Sequence, residues 1–185
     1  MLDTFEAAKE SGPYDEYPVL PAGIDPQLHL SLNDRPQPFH LVCEKDTVLV
    51  QMSGKAKVEM RDSSVLSFNL VPGDYAYIPA GTPHRILPSE PSIQYRYKAE
   101  HCGLEAASFY CESCGELLLQ DTWDTAVELP QAAYLRVVET FNGDEALRKC
   151  TKCSTVQAPV GLAGYRWREI VDELSAPQVE TEAAW

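Results

Sequence analysis

The sequence has no apolar run approaching the roughly 20 residues that a bilayer span requires. Its first residues, MLDTFEAAKESG, also lack the apolar stretch of a secretory leader. Both absences predict a cytoplasmic protein with no membrane partner. Positive charge is scarce: 15 Lys and Arg stand against 28 Asp and Glu, a formal net charge of −13 over 185 residues. Such a surplus is repelled by phosphate backbones, so nucleic acid is not an expected partner. No internal repeat is present. What is there is a hydrophobic fraction of 44%, ordinary for one domain with a real core, with or without a small appendage. The acidity is uneven: residues 1–20 and 169–185 carry five acids each, against a single Lys. The termini are therefore expected outside the folded body.

Six cysteines are the next feature. Cys111-Glu112-Ser113-Cys114 and Cys150-Thr151-Lys152-Cys153 form two C-x-x-C pairs, while Cys43 and Cys102 stand alone. In a reducing compartment, paired C-x-x-C knuckles read as a four-thiolate tetrahedral metal site rather than as disulfides. The two-residue gap lets both sulfurs of a turn face one ion, and Gly115 suits the tight turn. Zinc is the default ion and iron the alternative.

From Leu28 to about Tyr97 the chain is a series of short apolar runs: LHLSL, TVLVQM, KAKVEM, VLSFNLV, YAYIP and SIQYRY. Alternation with period two, punctuated by Pro, Gly, Asn and Asp, predicts an all-β antiparallel barrel or sandwich. The expected organisation is an acidic arm over 1–20, the barrel over 21–108 and a four-Cys segment over 109–160. A helix is expected between the knuckles. Residues 161–185 should hold a short helix, around YRWREIVDEL, and a disordered acidic tail.

Residues 73–84 read Gly-Asp-Tyr-Ala-Tyr-Ile-Pro-Ala-Gly-Thr-Pro-His. They match G-x5-P-x-G-x2-H, the second motif of the cupins, in which a Pro/Gly turn after a strand aims the histidine, here His84, into a barrel mouth. The first cupin motif, G-x5-H-x-H-x4-E-x6-G, is mostly lost. Counting back from Gly54 leaves His40 at the first His, Val42 at the second, Thr47 at the Glu and Asp34 at the leading Gly.

Over roughly residues 28–160 the chain resembles the 3-hydroxyanthranilate 3,4-dioxygenases, small cupin enzymes of tryptophan catabolism. The more specific part is the C-terminal one: Phe-Tyr-Cys-Glu-Ser-Cys-Gly-Glu-Leu, then Glu-Ala-Leu-Arg-Lys-Cys-Thr-Lys-Cys-Ser-Thr-Val. The resemblance implies a double-stranded β-helix (jelly-roll) cupin with a small four-Cys appendage. It implies a cytosolic homodimer that cleaves an aminophenol ring with Fe(II) held by two His and one Glu. Carried over, the ligands are His40, His84 and, at the carboxylate position, Asp46, with Glu44 and Cys43 as weaker substitutes. The upstream arginine of the family falls near Arg35. Its second arginine lands on Pro88, beside Arg85, and its later acid lands on Arg96, a reversal of charge.

Two functions follow. In the first, His40, Asp46 and His84 hold Fe(II) or another divalent metal. Arg35, Arg85 and Arg96 then dock a small anionic substrate, an aromatic acid, as guanidinium forks do for carboxylates. In the second, the barrel has lost its metal and serves as a small-molecule-binding or structural protein, with the four-Cys segment stabilising it.

Overall fold

A computed structural model describes residues 2–176. Among these residues, alternating apolar and polar positions build eleven strands in two antiparallel sheets. Sheet A orders β1 (Tyr17–Pro18), β2 (Gln27–Asn33), β9 (Ser92–Lys98), β4 (Thr47–Ser53) and β7 (Tyr75–Ile78). Sheet B orders β11 (Leu117–Asp124), β10 (Leu104–Tyr110), β3 (His40–Cys43), β8 (His84–Pro88), β5 (Ala56–Met60) and β6 (Ser67–Leu70). From β2 onward the chain passes repeatedly from one sheet to the other, the winding of a double-stranded β-helix.

The turns that close this winding are specified locally. Gly54, between β4 and β5, has φ of 67°, and a Cβ there would sit 2.2 Å from the Pro91 carbonyl oxygen. Only glycine meets both demands.

The two sheets bury opposite kinds of surface. Sheet B turns Leu41, Val58, Ile86, Ala107 and Phe109 into the main core. Sheet A turns a polar face inward, because its register pairs Gln27 with Lys98, His29 with Arg96, Ser31 with Gln94 and Asn33 with Ser92. Several of these groups bond one another, while Ser92 Oγ and His29 Nδ1 are buried without a partner. Gln94 Nε2 donates to Gln51 Oε1 at 2.6 Å, and Asn33 Nδ2 donates to Gln94 Oε1 at 2.8 Å. The tyrosine 14 backbone N–H completes the row on Asn33 Oδ1 at 2.8 Å. The apolar residues of sheet A, Leu28, Leu30, Val50 and Ile93, lie on the other face. There they pack with Ala7 and Ala8 beside α1 (Thr4–Ala7).

Among the described residues three helices follow the barrel strands. The helix expected between the knuckles is α2 (Pro130–Gly143), opened by Pro130, with a short α3 (Glu145–Arg148) after it. The α2 face formed by Ala133, Tyr134, Val137, Val138 and Phe141 is buried, and Phe141 stacks on Phe109 with ring centroids 3.9 Å apart. The C-terminal helix α4 (Trp167–Ser175) inserts Trp167, whose Nε1–H donates to the Tyr14 carbonyl at 3.1 Å. The acidic tail expected beyond it lies almost wholly outside the described residues.

The N-terminal arm departs from expectation. Asp15 and Glu16 are buried, not solvated. Residues 12–16 run into the barrel mouth, held there by Tyr14 O–H donating to the carbonyls of Arg35 (2.7 Å) and Ile86 (3.0 Å). Gln131 Nε2 of α2 donates to the Asp15 carbonyl at 2.6 Å.

Candidate functional site

Inside the barrel, His84 is fully buried at the start of β8, where the turn carrying Pro79, Gly81 and Pro83 delivers it. Its Nδ1–H donates to the Thr82 carbonyl at 3.0 Å, which leaves Nε2 as the acceptor. That acceptor is taken. Arg96 Nη1 donates to it at 2.7 Å and also lies 3.4 Å from Thr47 Oγ1. Burial first, then the Arg96 charge, push the His84 imidazole down to about 3, so it is neutral.

Arg96 is anchored from the other side. Its Nε lies 2.9 Å from Glu16 Oε1, and Lys98 Nζ lies 3.1 Å from Glu16 Oε2 and 2.5 Å from Glu105 Oε1. Tyr134 O–H adds a bond to Glu16 Oε2 at 3.1 Å. Burial works to raise the Glu16 carboxyl, but Lys98 and Arg96 hold it below the usual range. Two acids and two bases thus close a buried cluster of zero net charge. The free space beside it is about 10 Å³, room for one water at most.

The structure separates the residues expected to bind metal. Leu41 is the register partner of His84 across β3 and β8. The inward positions of β3 are therefore Leu41 and Cys43, and His40 faces the opposite way, on the outside of sheet B. Asp46 is exposed at the rim, where its Oδ1 accepts from the Ala80 N–H at 2.8 Å. Thr47, not Asp46, occupies the inward position on β4. Following the inward face gives Leu41, Cys43, Thr47 and His84, a set with one strong ligand. Cys43 is a neutral thiol, its pKa pushed up by burial. A metal needing two His and a carboxylate does not fit this interior: His29, His84, Glu16 and Glu105 are all inside, but no three of them converge on one point among the described residues, the two acids are held by Arg96 and Lys98, and a guanidinium sits on His84.

Two of the three arginines expected to dock substrate lie outside the barrel. Arg35 pairs with Asp34 at 2.7 Å, bonds the Ala163 carbonyl and lies over the Tyr165 ring, clasping the C-terminal segment. Arg85 is on the outer face of sheet B, bridging Glu59 at 2.9 Å and Glu112 at 2.6 Å. Only Arg96 is in the interior, and its contacts are spent on Glu16 and His84. Glu16, Lys98 and Glu105 escaped sequence reasoning. The one available signal was Gln27, His29, Ser31 and Asn33 alternating with leucines on β2, which marks a polar face without saying that it points inward.

The four-Cys segment has the second candidate geometry. The knuckle after β10 closes with Gly115 N–H donating to the Cys111 carbonyl (2.8 Å) and Cys111 N–H donating to the Glu116 carbonyl (2.8 Å). The second repeats it: Ser154 N–H to the Cys150 carbonyl (2.9 Å) and Cys150 N–H to the Thr155 carbonyl (2.8 Å). Gly115 and Ser154 hold equivalent left-handed positions, with φ of 75° and 62°. The four sulfurs converge within 4.8 Å, with Cys111–Cys153 and Cys114–Cys150 each at 3.5 Å. A tetrahedral zinc–thiolate site, with bonds of about 2.3 Å, needs sulfurs about 3.8 Å apart. The donors fit such an ion. Gln157 Nε2 lies 3.6 Å from Cys111 Sγ as an outer partner. Among the described residues this is the one group of three or more His, Cys, Asp or Glu that could hold a metal.

The two sheets wind as a double-stranded β-helix. No protein-family model matches the sequence, and no curated protein matches it. Solved structures similar to the chain include a hydroquinone 1,2-dioxygenase bound to Cd²⁺ and 4-hydroxybenzonitrile (19% identity, TM-score 0.45, covering 51% of this chain and 69% of that one). The Sphingomonas hydroquinone 1,2-dioxygenase with 4-hydroxybenzoate bound is 16% identical (TM-score 0.47, 52% of this chain and 72% of that one). A cupin-2 domain protein of Shewanella frigidimarina is 17% identical (TM-score 0.46, 54% and 94%). No described helix is long and apolar enough to cross a membrane.

Proposed function

We propose that this protein is a small-molecule-binding cupin whose barrel has exchanged its metal for a buried ion cluster, and whose one metal site is the four-thiolate site. The observation that carries this reading is the 2.7 Å contact of Arg96 Nη1 with His84 Nε2, fixed by the Arg96–Glu16 ion pair. A divalent cation at His84 would have to displace a guanidinium that is itself neutralised by a buried carboxylate. Ring cleavage by Fe(II), the activity that the dioxygenase resemblance implies, has no ligand set here.

The four cysteines hold zinc in preference to iron, and the ion fastens the segment from Tyr110 to Val156 to the barrel. It supplies cross-linking, not chemistry. None of the six cysteines is paired in a disulfide, which suits a reducing compartment such as the cytoplasm. A homodimer is supported by aromatics on the outer face of sheet A: Tyr75 is 75% exposed, Tyr77 56% and Tyr97 37%.

Metal analysis of the purified full chain tests the reading. About one metal per chain is expected, lost in Cys111→Ser/Cys150→Ser and retained in His84→Ala. A second metal per chain that disappears in His84→Ala would overturn it.

A further inference from the structure

We infer that the binding site is a cleft between the outer face of sheet B and the first Cys knuckle, and that it takes a small carboxylate with an apolar body. The inference rests on the reading above, in which the barrel interior is closed and the protein binds rather than transforms a small molecule. Two cavities, of about 360 and 210 Å³, flank His40 and Tyr110, which line both. The larger is within the range of ordinary ligand sites, whereas the cavity beside the buried ion cluster is about 10 Å³.

The polar groups in this cleft divide into those already used and those with capacity to spare. Arg85 pairs with both Glu59 and Glu112, and Lys57 Nζ donates to Glu59 at 2.8 Å, so two cations balance the two acids. Asp62 stands at the exposed rim. Arg61 is different. Its guanidinium lies over the Tyr110 ring at 4.3 Å, makes no ion pair among the described residues, and has a buried Nε without a hydrogen-bond partner. Ser108 is almost fully buried, lines the smaller cavity, and its Oγ is also without a partner. The His40 ring stands edge-on to Tyr110, 5.0 Å between centroids, and no hydrogen bond is made by its nitrogens among the described residues.

An unneutralised guanidinium, a hydroxyl and an imidazole with one donor and one acceptor are what a carboxylate with a neighbouring polar substituent would satisfy. Met60 and Leu66 line the larger cavity and Phe141 and Val160 the smaller, giving the apolar body a place. The wall opposite the sheet includes Gly115, where a side chain would meet Arg61 Nη1 at 3.1 Å. Because Gly115 follows Cys114 directly, the metal-bound knuckle sets the width of the cleft.

Benzoate titrated into the zinc-loaded full chain, followed by the imidazole Cε1–H resonances, tests the assignment. The expected result is saturable movement of the His40 signal with His84 unmoved. Arg61→Gln should weaken binding about tenfold or more, Arg61→Lys should recover part of it, and benzamide and inorganic phosphate should bind at least tenfold more weakly than benzoate. Movement of His84 in place of His40, no saturable binding, equal binding by Arg61→Gln, or phosphate binding as tightly as benzoate would each overturn the inference. Failure of the underlying reading is separate, since it shows as a second, His84-dependent metal in the same preparation.

Discussion

Leu41 faces His84 across β3 and β8, and this single register pair turns His40 away from the barrel interior. The two histidines that the motifs place together thus belong to different sites. His84 is a structural acceptor for Arg96, while His40 opens onto the cleft beside Tyr110.

The interior cluster behaves as one unit. Glu16→Ala leaves Arg96 and Lys98 without their shared carboxylate and should cost about 3–5 kcal/mol, the usual penalty for breaking a buried pair from one side. Arg96→Met should cost a similar amount. The double variant should lose less than the sum of the two, because neither charge is then stranded. Urea unfolding of the four proteins of the cycle measures the coupling.

Acid should destabilise the protein well above the carboxylate range. His29, His40 and His84 are each held neutral chiefly by burial, down to about 4, 3 and 3, against an ordinary value of 6.5. Between those values the unfolded chain binds more protons than the folded one, so stability is full above about pH 6.5 and falls as the pH drops. Glu16, held low by Lys98 and Arg96, adds a further loss as the pH falls below its ordinary 4.5. Asp15, raised by burial, opposes this in part. The melting temperature should decline from pH 7 to pH 5, and NMR of the folded protein at pH 5 should show these three rings unprotonated.

Metal removal should loosen the C-terminal half first. Chelation, or Cys111→Ser, releases the knuckles that hold β10 to the stretch after α3. A loss of about 3 kcal/mol corresponds to roughly 6–12 °C in melting temperature for a chain of this size. Hydrogen exchange should speed up around Tyr110–Gly115 and Cys150–Val156 before it does in β4 and β9.

Gly54→Ala should be disruptive although it adds one methyl. The left-handed backbone costs about 1–3 kcal/mol for a residue with a Cβ, and the contact with the Pro91 carbonyl adds to that. Thermal unfolding against Gly143→Ala, where nothing lies within 4 Å of the added carbon, isolates the effect.

Tyr77→Glu places a charge in the exposed aromatic patch of sheet A without touching the core. If that patch joins two copies, sedimentation should show a dimer for the native chain and a monomer for the variant, with an unchanged melting profile at low protein concentration.

The barrel was legible because period-two alternation and the Gly73–His84 motif are local signals, and the two knuckles because C-x-x-C spacing is local as well. What was not legible depends on facing. A strand shifted by one residue exchanges its inner and outer sets, so His40 and Leu41, or Asp46 and Thr47, trade places without any change in composition. Arg96 was visible as a reversal of charge, but its partner Glu16 was not. An acid in a stretch without periodicity reads as solvated until the chain brings it to bases 80 residues away.

The position of Glu16 also bears on how the molecule assembles. The residues that grip this stretch come late in the chain: Tyr134 binds the Glu16 carboxylate from 118 positions away, and Trp167 binds the Tyr14 carbonyl from 153. Residues 14–16 are made well before the residues that grip them, so their contacts are among the last that can be completed, which favours slow folding. A shortened version beginning at the first long strand would look tidy on paper, yet it would carry a stranded guanidinium, that of Arg96, at its centre.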